Sequence, residues 1–260
     1  MRNLFFLCFF AIYATHFIVG QPSVSKKKFH LYLLAGQSNM AGRGVVEQED
    51  KMTHSRVWML NKNNQWELAT EPLHFDKPSV VGVGPGFAFA KEMAKMDTNI
   101  VVGLIPCAVG GSPISVWKAA AYYEPTKSYP YDDAIQRTKV AMEKGELKGI
   151  LWQQGESDSD SIQSQHYLQR IVILVKLFRK DLKVKDLPFI AGTISEFYTV
   201  KHPYAKVVND AIEKLPKTLK NTAFISSSGL NHKGDDTHFD SPSARELGKR
   251  YAEVFRKLNE

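Results

Sequence analysis

With 260 residues, 43% of them hydrophobic and 23% charged, the chain has enough apolar sequence for one good-sized core, which excludes intrinsic disorder. Its net charge of +7 is scattered apart from Lys26, Lys27 and Lys28, and no nucleic-acid-binding motif accompanies it, so the excess reads as solvated surface with no nucleic-acid partner. Of the two cysteines, Cys8 and Cys107, only Cys107 lies beyond the first 20 residues, so no internal disulfide is expected in the mature fold.

Residues 1–20 read as a cleaved secretory signal peptide. Arg2 precedes an apolar stretch from Leu4 to Val19, and Gly20-Gln21 offers a small-residue cleavage point. A single membrane anchor is the rival reading, but the stretch falls just short of the roughly 20 residues of a comfortable span, so no stable membrane insertion is expected after cleavage. The protein is expected to be secreted or periplasmic. Residues 21–28 form a basic N-terminal segment, and residues 29–260 a single domain.

Five apolar runs read as central strands: Phe29 to Ala35, Ile100 to Cys107, Gly149 to Gln153, Phe189 to Ile194, and Thr222 to Ser226. They are continuous and not alternating, as suits strands covered on both faces. Helical patterns fall between them, over Phe87 to Met96, Tyr131 to Lys144, Ser157 to Leu182 and Ala205 to Leu215. The last, Ser241 to Leu258, opens on Ser-Pro, with Ser241 as the expected cap. Val57 to Leu60 and Gln65 to Leu68 read as a small hairpin inserted after the first strand. Strands alternating with helices predict a three-layer α/β/α sandwich around a mostly parallel five-stranded sheet.

In such sheets ligands bind at the carboxyl ends of the strands, and four of these carry chemistry. The first strand runs into Gly36-Gln37-Ser38-Asn39-Met40, which offers a serine hydroxyl at the sheet edge. Met40 in the fifth position rules out a Gly-x-Ser-x-Gly elbow. The second strand is followed by Gly110-Gly111-Ser112, whose glycine N–H groups suit a developing oxyanion. After the third comes Trp152-Gln153-Gln154-Gly155-Glu156-Ser157-Asp158, where the Gln154 amide is a second candidate donor. Ser157 also follows a glycine behind a strand. It reads as a helix cap, although the residues alone leave it a rival to Ser38 as nucleophile. Before the last helix, Asp235 and His238 are three residues apart, the reach at which a carboxylate fixes an imidazole tautomer and leaves the other nitrogen as a base. His232, Asp235, Asp236, His238 and Asp240 include metal-ligand types, but their spacing matches no familiar site.

These four blocks in this order resemble the SGNH hydrolase superfamily, and within it the sialate O-acetylesterase-like domain of carbohydrate esterase family 6, which includes acetylxylan esterases. The resemblance runs from about Phe29 to the last helix. It implies a flavodoxin-like α/β/α fold, no metal or other cofactor, and an acetylated carbohydrate as substrate. It also implies Ser38 as nucleophile, His238 as base and Asp235 as its partner. The oxyanion hole would combine the Ser38 N–H with Gly111 and Gln154, Gly110 being the alternative glycine. Gln37, Asn39, Trp117 and Glu156 are expected to touch substrate, and the aromatics Tyr122 and Tyr123 are further candidates for stacking on a sugar ring. Other readings of the same scaffold are a sialate O-acetylesterase, a lipid-directed esterase, and a carbohydrate-binding protein that has lost activity.

Overall fold

The computed structural model describes residues 22–258 and 260, so the expected signal peptide at residues 1–20 lies outside the described residues. Among the described residues no helix is long and apolar enough to cross a membrane. The run Phe29–Gly36 becomes β1, and from Leu31 to Gly36 every residue on it is buried. It lies between β4 (Val101–Pro106) and β5 (Glu146–Gln153), parallel to both. Beyond β5 come β6 (Phe189–Gly192) and β7 (Thr222–Ile225), also parallel, with Phe189 opposite Thr222.

The expected five-stranded sheet has seven strands, in the order β3 (Trp66–Leu68), β2 (Val57–Leu60), β4, β1, β5, β6, β7. The inserted hairpin is not an excursion from the sheet. Its first arm, β2 (Val57–Leu60), pairs parallel with β4, and β3 (Trp66–Leu68) adds an antiparallel edge. The spacing of the hairpin correctly indicated two strands, but nothing in it marked which neighbour β2 would meet.

Side chains alternate across β1 and so divide the interior into two layers. Leu31, Leu33 and Ala35 face α3 (Pro130–Met142), α4 (Tyr167–Asp181) and α6 (Ala205–Thr218), where Ile135, Phe178 and Ile212 join them. Tyr32 and Leu34 face α2 (Pro85–Met96) and α7 (Ser241–Leu258), where Phe89, Leu247 and Phe255 close the second layer. Tyr32, Phe89 and Phe255 pack edge to face with ring centroids 4.9 to 6.2 Å apart.

Two helix starts differ from expectation. The third helical segment begins at Tyr167, not at Ser157, preceded by short turns at Glu156–Asp158 and Ser164–His166. Asp160 Oδ1 accepts the N–H groups of Ile162 and Gln163, a local turn that competes with a helix. Ser157 caps nothing, for its Oγ donates to the Gly111 carbonyl. The cap of α7 is Asp240, whose Oδ1 accepts the Ser243 N–H at 2.8 Å, while Ser241 Oγ donates to the Val45 carbonyl. A carboxylate at that end also suits the helix dipole.

Candidate active site

Gly36 ends β1 at φ +123°, and a Cβ there would lie 2.3 Å from the Gln153 carbonyl. Only glycine passes so close to β5 in the left-handed region. The sharp turn opens the short helix α1 (Ser38–Ala41) and sets Ser38 at its first position, at the carboxyl edge of the sheet. The N–H groups of a first helical turn have no partner within the helix, and that of Ser38 finds none elsewhere among the described residues.

Across the turn lies the loop before α7. His238 Nε2 is 3.0 Å from Ser38 Oγ, and His238 Nδ1 is 2.7 Å from Asp235 Oδ2. Asp235 Oδ1 accepts the N–H groups of His238 and Thr237, which fixes the carboxylate within its own loop. Burial pushes the Asp235 carboxyl upward, but the His238 ring and these two N–H donors outweigh it and hold the pKa at about 2. For His238 burial wins. It brings the imidazole below its ordinary 6.5 despite Asp235, with Arg43 and Lys233 adding to the lowering. A neutral imidazole, hydrogen-bonded through Nδ1 to a carboxylate and facing a serine hydroxyl through Nε2, has the connectivity of a general base.

Ser38 and His238 line a cavity of about 350 Å³ together with Gln37, Arg43, Gly111 and Glu156. The two glycines of the 110–111 turn have different duties. The Gly110 N–H donates to Asp76 Oδ2 at 2.7 Å, and the same oxygen receives Arg43 Nη2 at 2.9 Å. Gly111, at φ +82°, keeps its N–H without an acceptor among the described residues.

Several expectations for individual residues need correction. Gln154 is fully buried and does not line the cavity. Its Nε2 donates to Asp158 Oδ2 at 2.6 Å, Gln37 Oε1 at 3.1 Å and the Ser112 carbonyl at 3.2 Å, which leaves no donor for an oxyanion. The amide that does reach the cavity belongs to Gln37. Gln154 and the Ser157 N–H hold its Oε1, so its Nε2 is the free end. Trp117, 2% exposed, lies edge to face against Trp152 at 5.0 Å and donates its Nε1–H to Ser112 Oγ, so it is a core residue and not a sugar platform.

Asn39 is a clamp and not a substrate contact. Its Nδ2 donates to Glu156 Oε1 at 2.5 Å and to the Thr237 carbonyl at 3.0 Å, and its Oδ1 accepts the Phe239 N–H at 3.2 Å. It therefore holds the backbone on both sides of His238. Glu156 anchors the clamp through Oε1 and lines the cavity, and burial raises its carboxyl above the usual range. Among the residues grouped in the sequence as metal-ligand types, His232 Nε2 lies 3.2 Å from Asp236 Oδ1, and Asp240 caps α7.

Arg43 and Asp76 carry no signal in the sequence, because they are 33 residues apart in loops and meet only through folding. Tyr198, which lines the cavity and donates its hydroxyl to the Glu156 carbonyl, was equally silent.

A family model described as carbohydrate esterase, sialic acid-specific acetylesterase, matches residues 28–257. A probable carbohydrate esterase of Arabidopsis thaliana is 34% identical over 245 residues, covering 86% of this chain and 89% of the relative. The crystal structure of an Arabidopsis thaliana protein superposes with a TM-score of 0.78 at 32% identity, over 88% of this chain and 98% of the other. A probable 9-O-acetyl-N-acetylneuraminic acid deacetylase of Escherichia coli is 22% identical over 70% of this chain and 72% of its own. The crystal structure of NanS shares the fold at 20% identity, with a TM-score of 0.72 over 90% of this chain and 98% of the other. The match over nearly all of the described residues shows that the chain belongs to the sialic acid-specific acetylesterase family of carbohydrate esterases.

Proposed function

We propose that the protein is a carbohydrate O-acetylesterase that releases acetate through an acetyl-enzyme on Ser38. The observation that carries this reading is the unbroken chain from Ser38 Oγ through His238 to Asp235, at 3.0 and 2.7 Å, opening on a small cavity. As Ser38 Oγ attacks the acetyl carbonyl carbon, His238 Nε2 takes its proton and Asp235 balances the imidazolium. The carbonyl oxygen, now an anion, leans on the Ser38 and Gly111 N–H groups and on the Gln37 amide. Such donors are each worth on the order of 10²–10³ in rate. The C–O bond to the sugar then breaks, and His238 returns the proton to the departing alkoxide. A water molecule, deprotonated by His238, attacks the acetyl-enzyme, and collapse frees acetate and restores the Ser38 hydroxyl.

Acetate release from acetylated xylan and from 9-O-acetyl sialic acid, by wild type and by Ser38→Ala, tests the proposal. Wild type is expected to release acetate from at least one, and the variant to lose on the order of 10⁴-fold or more in kcat. An equally active variant would overturn the assignment of Ser38. A series of p-nitrophenyl esters separates an acetyl-specific enzyme from a lipid-directed one, which would favour long acyl chains.

A further inference from the structure

A second cavity, of about 360 Å³, lies directly behind the oxyanion turn, within the range of small-molecule sites. It opens at the carboxyl ends of β2 and β4, between the loop carrying Lys62 and Asn64 and the first turns of α3. Asp76 lines the second cavity, while its Oδ2 receives Gly110 N–H and Arg43 Nη2, both from residues lining the first. We propose that this cavity is a second glycosyl subsite, which takes the neutral sugar ring next to the acetylated one in an oligosaccharide or polysaccharide. The inference rests on the carbohydrate esterase reading and narrows it to chain substrates.

The lining chemistry suits a hydroxyl-rich ring. Asp133 and Gln136 lie one turn apart on the same face of α3, so a rigid helix presents a carboxylate and an amide together. The Gln136 side chain has no partner among the described residues, and only one Asp133 oxygen is held, by the Tyr129 N–H. The hydroxyls of Thr126 and Ser128 face each other at 2.8 Å on the opposite rim. Phe75, Ala108 and Val109 add apolar surface for the C–H face of a ring. On the inner wall, burial holds the His74 imidazole neutral, with a pKa of about 4, and leaves its two nitrogens out of reach of an occupant. The exposed Gln136 amide and the open Asp133 oxygen on this rim suit a polar occupant.

The same residues disfavour an anion. Lys62 and Arg137 face Asp76 and Asp133, so the lining carries two charges of each sign. The two terminal nitrogens of Arg137 are held by the protein. Nη1 donates to the Asn61 carbonyl and to Asn64 Oδ1, Nη2 donates to the Leu60 carbonyl, and the guanidinium lies 4.8 Å over the Phe75 ring. Its Nε–H has no acceptor but is buried, so no side-on Nε–Nη2 pair is exposed to a carboxylate or phosphate. The cavity therefore fits a neutral glycosyl unit better than a uronate or a sialate.

The test compares kcat/KM for acetate release from mono-acetylated xylose, xylobiose and xylotriose, each divided by kcat/KM for p-nitrophenyl acetate, which is too small to fill the second cavity. In wild type this ratio is expected to rise about tenfold on adding the second ring, equivalent to about 1.4 kcal/mol. Gln136→Trp, which places an indole in the mouth, and Gln136→Ala should both flatten the rise. A ratio independent of chain length in wild type, or a rise left intact in both variants, would overturn the subsite. If no acetate leaves any of the three sugars while p-nitrophenyl acetate is cleaved, the carbohydrate reading falls and the subsite with it.

Discussion

Asn39, Gln154 and Gln37 show how buried amides can have opposite relations to a cavity. The first two have their donors committed within the protein. Gln37, next to Asn39 in sequence, is the amide with an end left over for the cavity. Asn39 acts instead through His238, by tying Thr237 and Phe239 to the turn that carries Ser38. Replacing it by alanine should let the His238 loop drift from the serine. A misplacement near 1 Å costs on the order of 10² in rate, so Asn39→Ala is expected to lower kcat for p-nitrophenyl acetate by about that factor and leave KM nearly unchanged. A rise in KM with kcat unchanged would show that Asn39 touches substrate after all.

At the scale of elements, the site depends on how closely α2 and α7 pack behind it. Gly248 on α7 lies against the first turn of α2, where a Cβ would come within 2.3 Å of the Pro85 carbonyl and 2.8 Å of Ala88 Cβ. Backbone cannot yield as a flexible side chain does, so Gly248→Ala must push the two helices apart. Overpacking of this kind costs roughly 1–3 kcal/mol. The intrinsic gain of alanine over glycine in a helix, about 1 kcal/mol, works in the other direction. A lower urea midpoint is the expected net result, and an unchanged or higher midpoint would show that α7 can shift freely. Since α7 follows directly on the His238 loop, kcat should fall in the same variant.

The whole molecule holds an ionisable group away from both cavities that links its stability to pH. Glu71 is fully buried, and burial raises its carboxyl to about 8, against which the Leu73 and Gly84 N–H groups pull only weakly. Between its ordinary value of 4.5 and 8, the folded chain keeps a proton that the unfolded chain has lost. Stability therefore falls as pH rises through that window, with a slope of up to about 1.4 kcal/mol per pH unit from this one residue. Glu71→Gln keeps the neutral shape and is expected to remove the slope. Chemical denaturation of both proteins at several pH values across the window measures the difference, and parallel curves would place the Glu71 pKa near its unfolded value.

The sequence by itself determined the strand and helix order, the parallel core of the sheet and three candidate site side chains. Continuous apolar runs between amphipathic segments admit few architectures, and Ser38, Asp235 and His238 stand at loops where strands end. Such signals are local, written in spacings of a few residues. The tertiary structure alone decided what depends on distant partners. It made β2 a member of the sheet, gave Gly110 to Asp76 and left Gly111 open, and sank Trp117 into the core. It also exchanged Gln154 for Gln37 at the cavity and brought Asn39 across 200 residues to the N–H of Phe239. Whether a buried amide faces a cavity or an acceptor depends on which groups the folded chain sets beside it, and those groups are not its neighbours in sequence.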